Sequence, residues 1–186
     1  MTNYLMYKYF IMESNLNDEH LLKCATEEAW SLLSEELGWT ESHLEKYQDN
    51  LDWQAISENK QIKWNLTMLD KFKERLHWDA LSKTITSEQV SPEILDKFKD
   101  RWDWDKLSAN WHLRLTYELI DKYAEYLNWR ELLHGGAFAV HPYEEDPVGF
   151  YTRYKKYIPK YILKGSGLWD AIVDKQKERL TSEIIA

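Results

Sequence analysis

The chain has 186 residues and a formal charge of −8, from 24 Lys plus Arg against 32 Asp plus Glu. This length suits one domain, or one with an appendage, and the 44% apolar content argues against disorder. The acidic balance argues against a generic nucleic-acid binder, which needs a basic face, and six Gly with four Pro argue against a turn-rich all-β fold.

Residues 1–12 are apolar, but Lys8 sits in their middle and no small-residue cleavage site follows. A signal peptide would put its charge first. This stretch is therefore expected to be the first packed element of a lead-in over residues 1–28. No uninterrupted apolar window reaches the roughly 18 residues of a membrane span, so no membrane partner is expected. Cys24 is the single cysteine. It rules out an internal disulfide framework and fits a reducing, cytoplasmic compartment. Its helical-looking surroundings predict a buried, unreactive thiol.

From residue 29 the chain repeats itself. Asp52-Trp53-Gln-Ala-Ile56-Ser57-Glu-Asn59 is echoed by Asp103-Trp104-Asp-Lys-Leu107-Ser108-Ala-Asn110. His77-Trp78 to Ser82 and Asn128-Trp129 to Leu133 are shorter versions, and Ala29-Trp30 to Ser34 leads them. The spacings from Trp53 through Trp129 are 25, 26 and 25 residues. Nine residues before these anchors lie Leu44, Leu69, Leu95 and Ile120. Acid, lysine and aromatic follow in order, as in Glu45-Lys46-Tyr47 and Asp96-Lys97-Phe98.

Each period reads as two helices. The longer starts after Thr40, Asn65, Ser91 or Thr116, whose side chains can accept from the first free amides. Pro92 fits the first helical position, where its missing N–H costs nothing. Apolar residues recur at helical spacing, as in Leu69, Phe72 and Leu76, predicting a helix of about 11 residues. The shorter helix starts at Asp52, Asp103 or Asn128. Neither could stand alone at this length. The expectation is an all-α fold, short two-helix repeats stacked as an α-solenoid over residues 29–133.

The pattern resembles tryptophan-rich helical repeats of the form Asp-Trp-x-x-Leu-Ser-x-Asn, found in large, mostly uncharacterised bacterial and viral proteins. The resemblance covers about residues 29–133 and implies no catalytic residue, cofactor or ligand. His77 in place of Asp and Val90 in place of Trp are departures that weaken a cap and a stack.

The repeated Trp residues could form a stacking platform, but aromatics at a fixed repeat position more often fill the core. Trp39 and Trp64 are expected to be buried as well. Trp111 falls outside the register and is the candidate exposed aromatic. The acid-lysine pairs read as a solvated face. Residues 1–128 hold 15 basic and 24 acidic side chains, a net of −9, against 9 and 8, a net of +1, in residues 129–186. A partner with a basic surface would therefore favour the repeats.

Residues 134–186 read as a non-repeat segment of irregular loop and terminal helix, packed on the repeats. Five of six Gly and three of four Pro lie between Gly135 and Gly167. His134, His141, Glu144, Glu145 and Asp146 are possible metal donors, but their spacing matches no zinc pattern and no metal is expected. Tyr151, Arg153, Tyr154, Lys155, Lys156, Tyr157, Lys160 and Tyr161 interleave aromatics with cations. That composition suits three roles: a protein contact, a single-strand groove, or docking against the acidic repeats. Residues 168–185 read as an amphipathic helix capping the end of the stack.

No phosphate loop, metalloprotease motif or nucleophile elbow is present, so no enzyme and no cofactor are expected. The sequence points to a non-catalytic protein–protein interaction module: an inhibitor, immunity or adaptor protein. The candidate partner-binding residues are Tyr143, Tyr151, Arg153, Tyr154, Lys155, Lys156, Tyr157, Lys160 and Trp111. The alternative is single-stranded nucleic-acid binding through residues 151–161. An open end would also permit a homo-oligomer.

Overall fold

A computed structural model describes residues 18–134, 143 and 145–185. The packed element expected at residues 1–12 and the loop residues 135–142 lie outside the described residues. Every regular element among the described residues is a helix, and none is long and apolar enough to cross a membrane. The chain divides into two compact units, Met1–Ile62 and Lys63–Ala186. The division falls within the run of periods at residues 29–133.

The first unit holds α1 (Asp18–Glu36), α2 (Glu41–Tyr47) and α3 (Trp53–Glu58). The second holds α4 (Leu66–Phe72), α5 (Trp78–Thr84), α6 (Pro92–Lys97), α7 (Trp104–Ser108), α8 (Tyr117–Tyr123) and α9 (Trp129–His134). It continues with α10 (Pro147–Tyr154), α11 (Lys160–Leu163) and α12 (Gly167–Ile185).

The starts of these helices are written locally. Thr40, Asn65, Ser91 and Thr116 each accept from the amide three residues on, as N-caps do. Asp52 and Asp103 cap α3 and α7 in the same way, whereas His77 makes no side-chain cap bond at α5. The ends differ from the expectation. The helices predicted at about 11 residues stop at six or seven. After each aromatic the backbone tightens to bonds spanning three residues. Arg75 N donates to Phe72 O at 2.8 Å, Arg101 N to Phe98 O at 2.8 Å, and Tyr126 N to Tyr123 O at 2.8 Å. Leu76, Trp102 and Leu127 are therefore carried beyond their helices and still buried.

The residues of the Asp-Trp-x-x-Leu-Ser-x-Asn pattern each have an identifiable bond. The indoles of Trp53, Trp78, Trp104 and Trp129 donate to the carbonyl five residues earlier, at 2.8–2.9 Å. The Leu or Ile three residues later is buried: Ile56, Leu81, Leu107 and Leu132. Ser82 and Ser108 donate back to Trp78 O and Trp104 O. The same hydroxyls accept from the amides that open the following helices, Asp103 N at 3.1 Å and Asn128 N at 2.9 Å. Ser34 does likewise for Asp52 N at 3.1 Å. Asn110 donates to Ser82 O and Ile85 O and accepts from His112 N. Asn59 makes the matching three bonds with Ser34 O, Leu37 O and Gln61 N. Each asparagine thus clasps the end of an earlier helix, α1 for Asn59 and α5 for Asn110.

The expected burial of Trp39 and Trp64 is observed, together with Trp78, Trp102 and Trp129. Trp53 and Trp104 are only half-buried. Cys24 is also half-buried, contrary to the expectation, because α1 buries only Ser34 among its residues. Helix α12 differs from the expected cap as well. Leu168 is buried but residues 173–185 are all exposed among the described residues. Its run of Lys, Gln, Glu and Arg between Val173 and Leu180 leaves no continuous apolar stripe to seat.

Candidate functional site

The candidate residues of the C-terminal segment fall on α10, α11 and the turn between them. Asp146 caps α10 by accepting from Gly149 N at 2.9 Å. Phe150 and Tyr154 of α10 are buried. Tyr154 is 3% exposed and its hydroxyl donates to Asp121 Oδ1 at 2.7 Å. Its ring lies 5.2 Å from Trp129. Tyr143 is 2% exposed and packs edge-on to Phe150 at 5.7 Å. Neither ring is on the surface, so the expectation that Tyr143 and Tyr154 contact a partner is corrected: both are core.

Two of the cations, Arg153 and Lys156, reach carboxylates of the unit while staying solvent-exposed. Arg153 forks onto both carboxylate oxygens of Asp121 and lies over the Tyr117 ring at 5.1 Å. Lys156 Nζ is 3.6 Å from Glu125 Oε1, and the Tyr157 hydroxyl donates to the same oxygen. Tyr157 stacks parallel on Trp129 at 5.2 Å. Arg153, Lys156 and Tyr157 are therefore partnered within the unit. Tyr151 is half-buried, while Lys155, Lys160 and Tyr161 are exposed. Trp111 is 67% exposed, as its position outside the register predicts, with its ring 3.8 Å from His112.

The Asp121 contact has counterparts along the unit. Lys97 reaches Asp70 at 3.0 Å, and Lys122 reaches Asp96. The Tyr123 hydroxyl donates to Asp96 Oδ1 at 2.8 Å, as Tyr154 does to Asp121. Two of the acid-lysine pairs thus contribute bridges between successive longer helices, on a face that stays solvent-exposed as expected. Lys122 and then the Tyr123 hydroxyl hold the Asp96 carboxyl below the usual carboxylate range. Arg153 and Tyr154 do the same at Asp121, against the opposing effect of burial. Burial, and then the Asp96 carboxylate, push the Tyr123 phenol up to about 12. Solvent screens exposed pairs of this type, so the ladder aligns helices more than it stabilises them.

Of the possible metal donors, His141 and Glu144 lie outside the described residues. His134 Nε2 is 3.1 Å from Ile162 O, and Asp146 is committed to its cap. No group of three or more donors able to hold a metal occurs among the described residues.

The sequence reading missed the surface of α1. Leu21, Leu22, Leu32 and Leu33 are all exposed, Leu22 to 66%, as is Leu37 just beyond the helix. One side of α1 borders a cleft of about 670 Å³ that reaches Asp49, Leu51 and Asp52. A second groove of about 250 Å³ continues along Leu22, Ala25, Ala29, Trp30 and Leu33. The apolar spacing of α1 was legible, but the pattern alone does not tell a covered face from an open one. Comparison with protein-family models, curated proteins and solved structures gives no match.

Proposed function

We propose that this chain is a non-catalytic protein–protein interaction module, acting as an inhibitor, immunity or adaptor protein by surface complementarity. Its scaffold, in this reading, is an α-solenoid of tryptophan-rich two-helix repeats, joined by the serine links and asparagine clasps. Residues 146–163 form a further, more widely spaced copy, 30 or 31 residues on from residues 116–132. Supporting this, Asp146 caps as Thr116 does, Arg153 and Tyr154 contact Asp121 as Lys122 and Tyr123 contact Asp96, and Leu163 is buried as Leu132 is.

The observation that carries the functional reading is the open apolar face of α1. A 19-residue helix that buries one residue and exposes four leucines offers an apolar face that no described residue covers. Nucleic-acid binding through residues 151–161 is less favoured, because Arg153 and Lys156 already face carboxylates.

Affinity capture from the native cell extract tests the proposal. The expected result is one stoichiometric protein that rebinds the purified chain and is recovered at its intact mass. Recovery of nucleic acid, with binding that falls steeply with salt, would overturn the proposal.

A further inference from the structure

We propose that the groove along α1 takes a basic amphipathic helix of the partner protein. The inference rests on the reading of the chain as a protein-binding module and names the chemistry of what it binds.

Leu22, Ala25, Ala29 and Leu33 follow the three- and four-residue spacing of one helical face. They span three turns, about 16 Å at 1.5 Å per residue. Ala25 and Ala29 make the middle of this face shallow, with Leu22 at one end and Leu33 at the other. A second helix can lie close against such a floor and place its own large apolar residues over the alanines. Trp30 completes the wall and is held by its contact with the Tyr47 ring at 5.5 Å.

The adjoining cleft, which shares Leu22, Thr26 and Trp30 with the groove, forms its charged rim and sets the charge of the occupant. Glu19, Glu27, Asp49 and Asp52 border the cleft, against the single cation Lys23. Lys23 is 3.9 Å from Glu27 and highly exposed, so it cancels little of that field. Asp52 is committed to capping α3 and to Ser31. Glu19 and Glu27 are exposed on the rim. A helix with an apolar stripe flanked by Lys or Arg satisfies both floor and rim.

Two other occupants fit less well. A second copy of α1 would bring Glu27, Glu28, Glu35 and Glu36 against their own kind, and like charges disfavour that pairing. The chain's own residues 1–12 carry one cation, Lys8.

The test uses the full chain and a fluorescent helical peptide of about 14 residues, enough for the three to four turns of the face. Leu occupies its apolar face and Lys its polar face; a second peptide carries Glu for Lys. Anisotropy is expected to give saturable one-to-one binding of the Leu/Lys peptide and none of the Leu/Glu peptide. Leu22→Asp should weaken binding about tenfold, the loss expected for one buried leucine, although it adds negative charge. Ile184→Ala, at an exposed apolar residue of α12, should leave binding unchanged. Unchanged or tighter binding by Leu22→Asp would mean that charge alone attracts the peptide, and would overturn the proposal. So would equal binding of the Leu/Glu peptide.

A dimer of the unliganded chain that Leu22→Asp dissociates would assign the groove to a second copy. Peptide binding that appears only in the Tyr7→Asp, Phe10→Asp double variant would assign it to the chain's own first residues. Failure of the peptide while a captured protein still binds would overturn this inference and leave the functional reading standing.

Discussion

Asn110→Ala should be among the most damaging single changes in the second unit, although it removes no apolar group. Asn110 is 2% exposed. Its amide donates to Ser82 O at 3.0 Å and Ile85 O at 2.7 Å, and its carbonyl accepts from His112 N at 2.9 Å. Alanine leaves two carbonyls and one amide without that partner. A buried polar group left unsatisfied costs about 1–3 kcal/mol. The half-buried His112 end and a water entering the vacated space would recover part of this. The expected loss is about 3–4 kcal/mol, a large share of the 5–15 kcal/mol typical of a folded chain.

The assay is urea unfolding followed by circular dichroism and tryptophan fluorescence together, since coincident transitions license a single free energy. Asn110→Asp keeps the acceptor for His112 N and turns oxygen toward two carbonyls. It should therefore be no less damaging at neutral pH. A loss below about 1 kcal/mol for Asn110→Ala would refute the reasoning, since that is the range of an ordinary surface change.

Ser108→Ala should lower stability by about 1–2 kcal/mol, because it removes the acceptor of Asn128 N; an unchanged urea midpoint would contradict the link. Tyr154→Ala should cost about 3–5 kcal/mol by opening the core, whereas Lys155→Ala should stay within about 0.5 kcal/mol; thermal melts of the two variants compare them directly. The melting temperature should respond to pH at both extremes. Asp70, Asp96 and Asp121 have folded pKa values below the ordinary 3.8. Their stabilisation is complete above that value and is lost as pH falls through the lower folded values. Tyr123 titrates at about 12 when folded against 10.0 ordinarily. Its share is complete below 10.0 and lost as pH rises toward 12. Tyr123→Phe should flatten that alkaline limb, and an unaltered limb would argue against the Tyr123–Asp96 contact.

Much of the local structure was legible because the signals are short-range. Thr40, Asn65, Ser91 and Thr116 announce their helices through their own side chains. The buried Leu and Ile positions announce themselves by period. What escaped the sequence reading depends on neighbours distant in the chain. That Asn110 clasps Ser82 and Ile85, rather than its own helix end, cannot be read from its immediate surroundings. The agreement of residues 146–163 with the earlier contacts was hidden because Lys160 stands where Trp129 would lead and Pro159 where Asn128 would cap. Tyr154 and Arg153 then looked like a surface pair by composition, although both bond to Asp121 and Tyr154 is buried. The α1 face escaped for the opposite reason: an apolar stripe predicts burial, and no described residue covers it.

The most direct test of the account is a calorimetric titration of the captured protein into the wild-type chain and into Leu22→Asp. The account predicts one-to-one binding with a negative heat-capacity change, the mark of buried apolar surface. It also predicts loss of that heat in Leu22→Asp and a partner of unaltered mass. Turnover of the partner, or full binding by the variant, would contradict it.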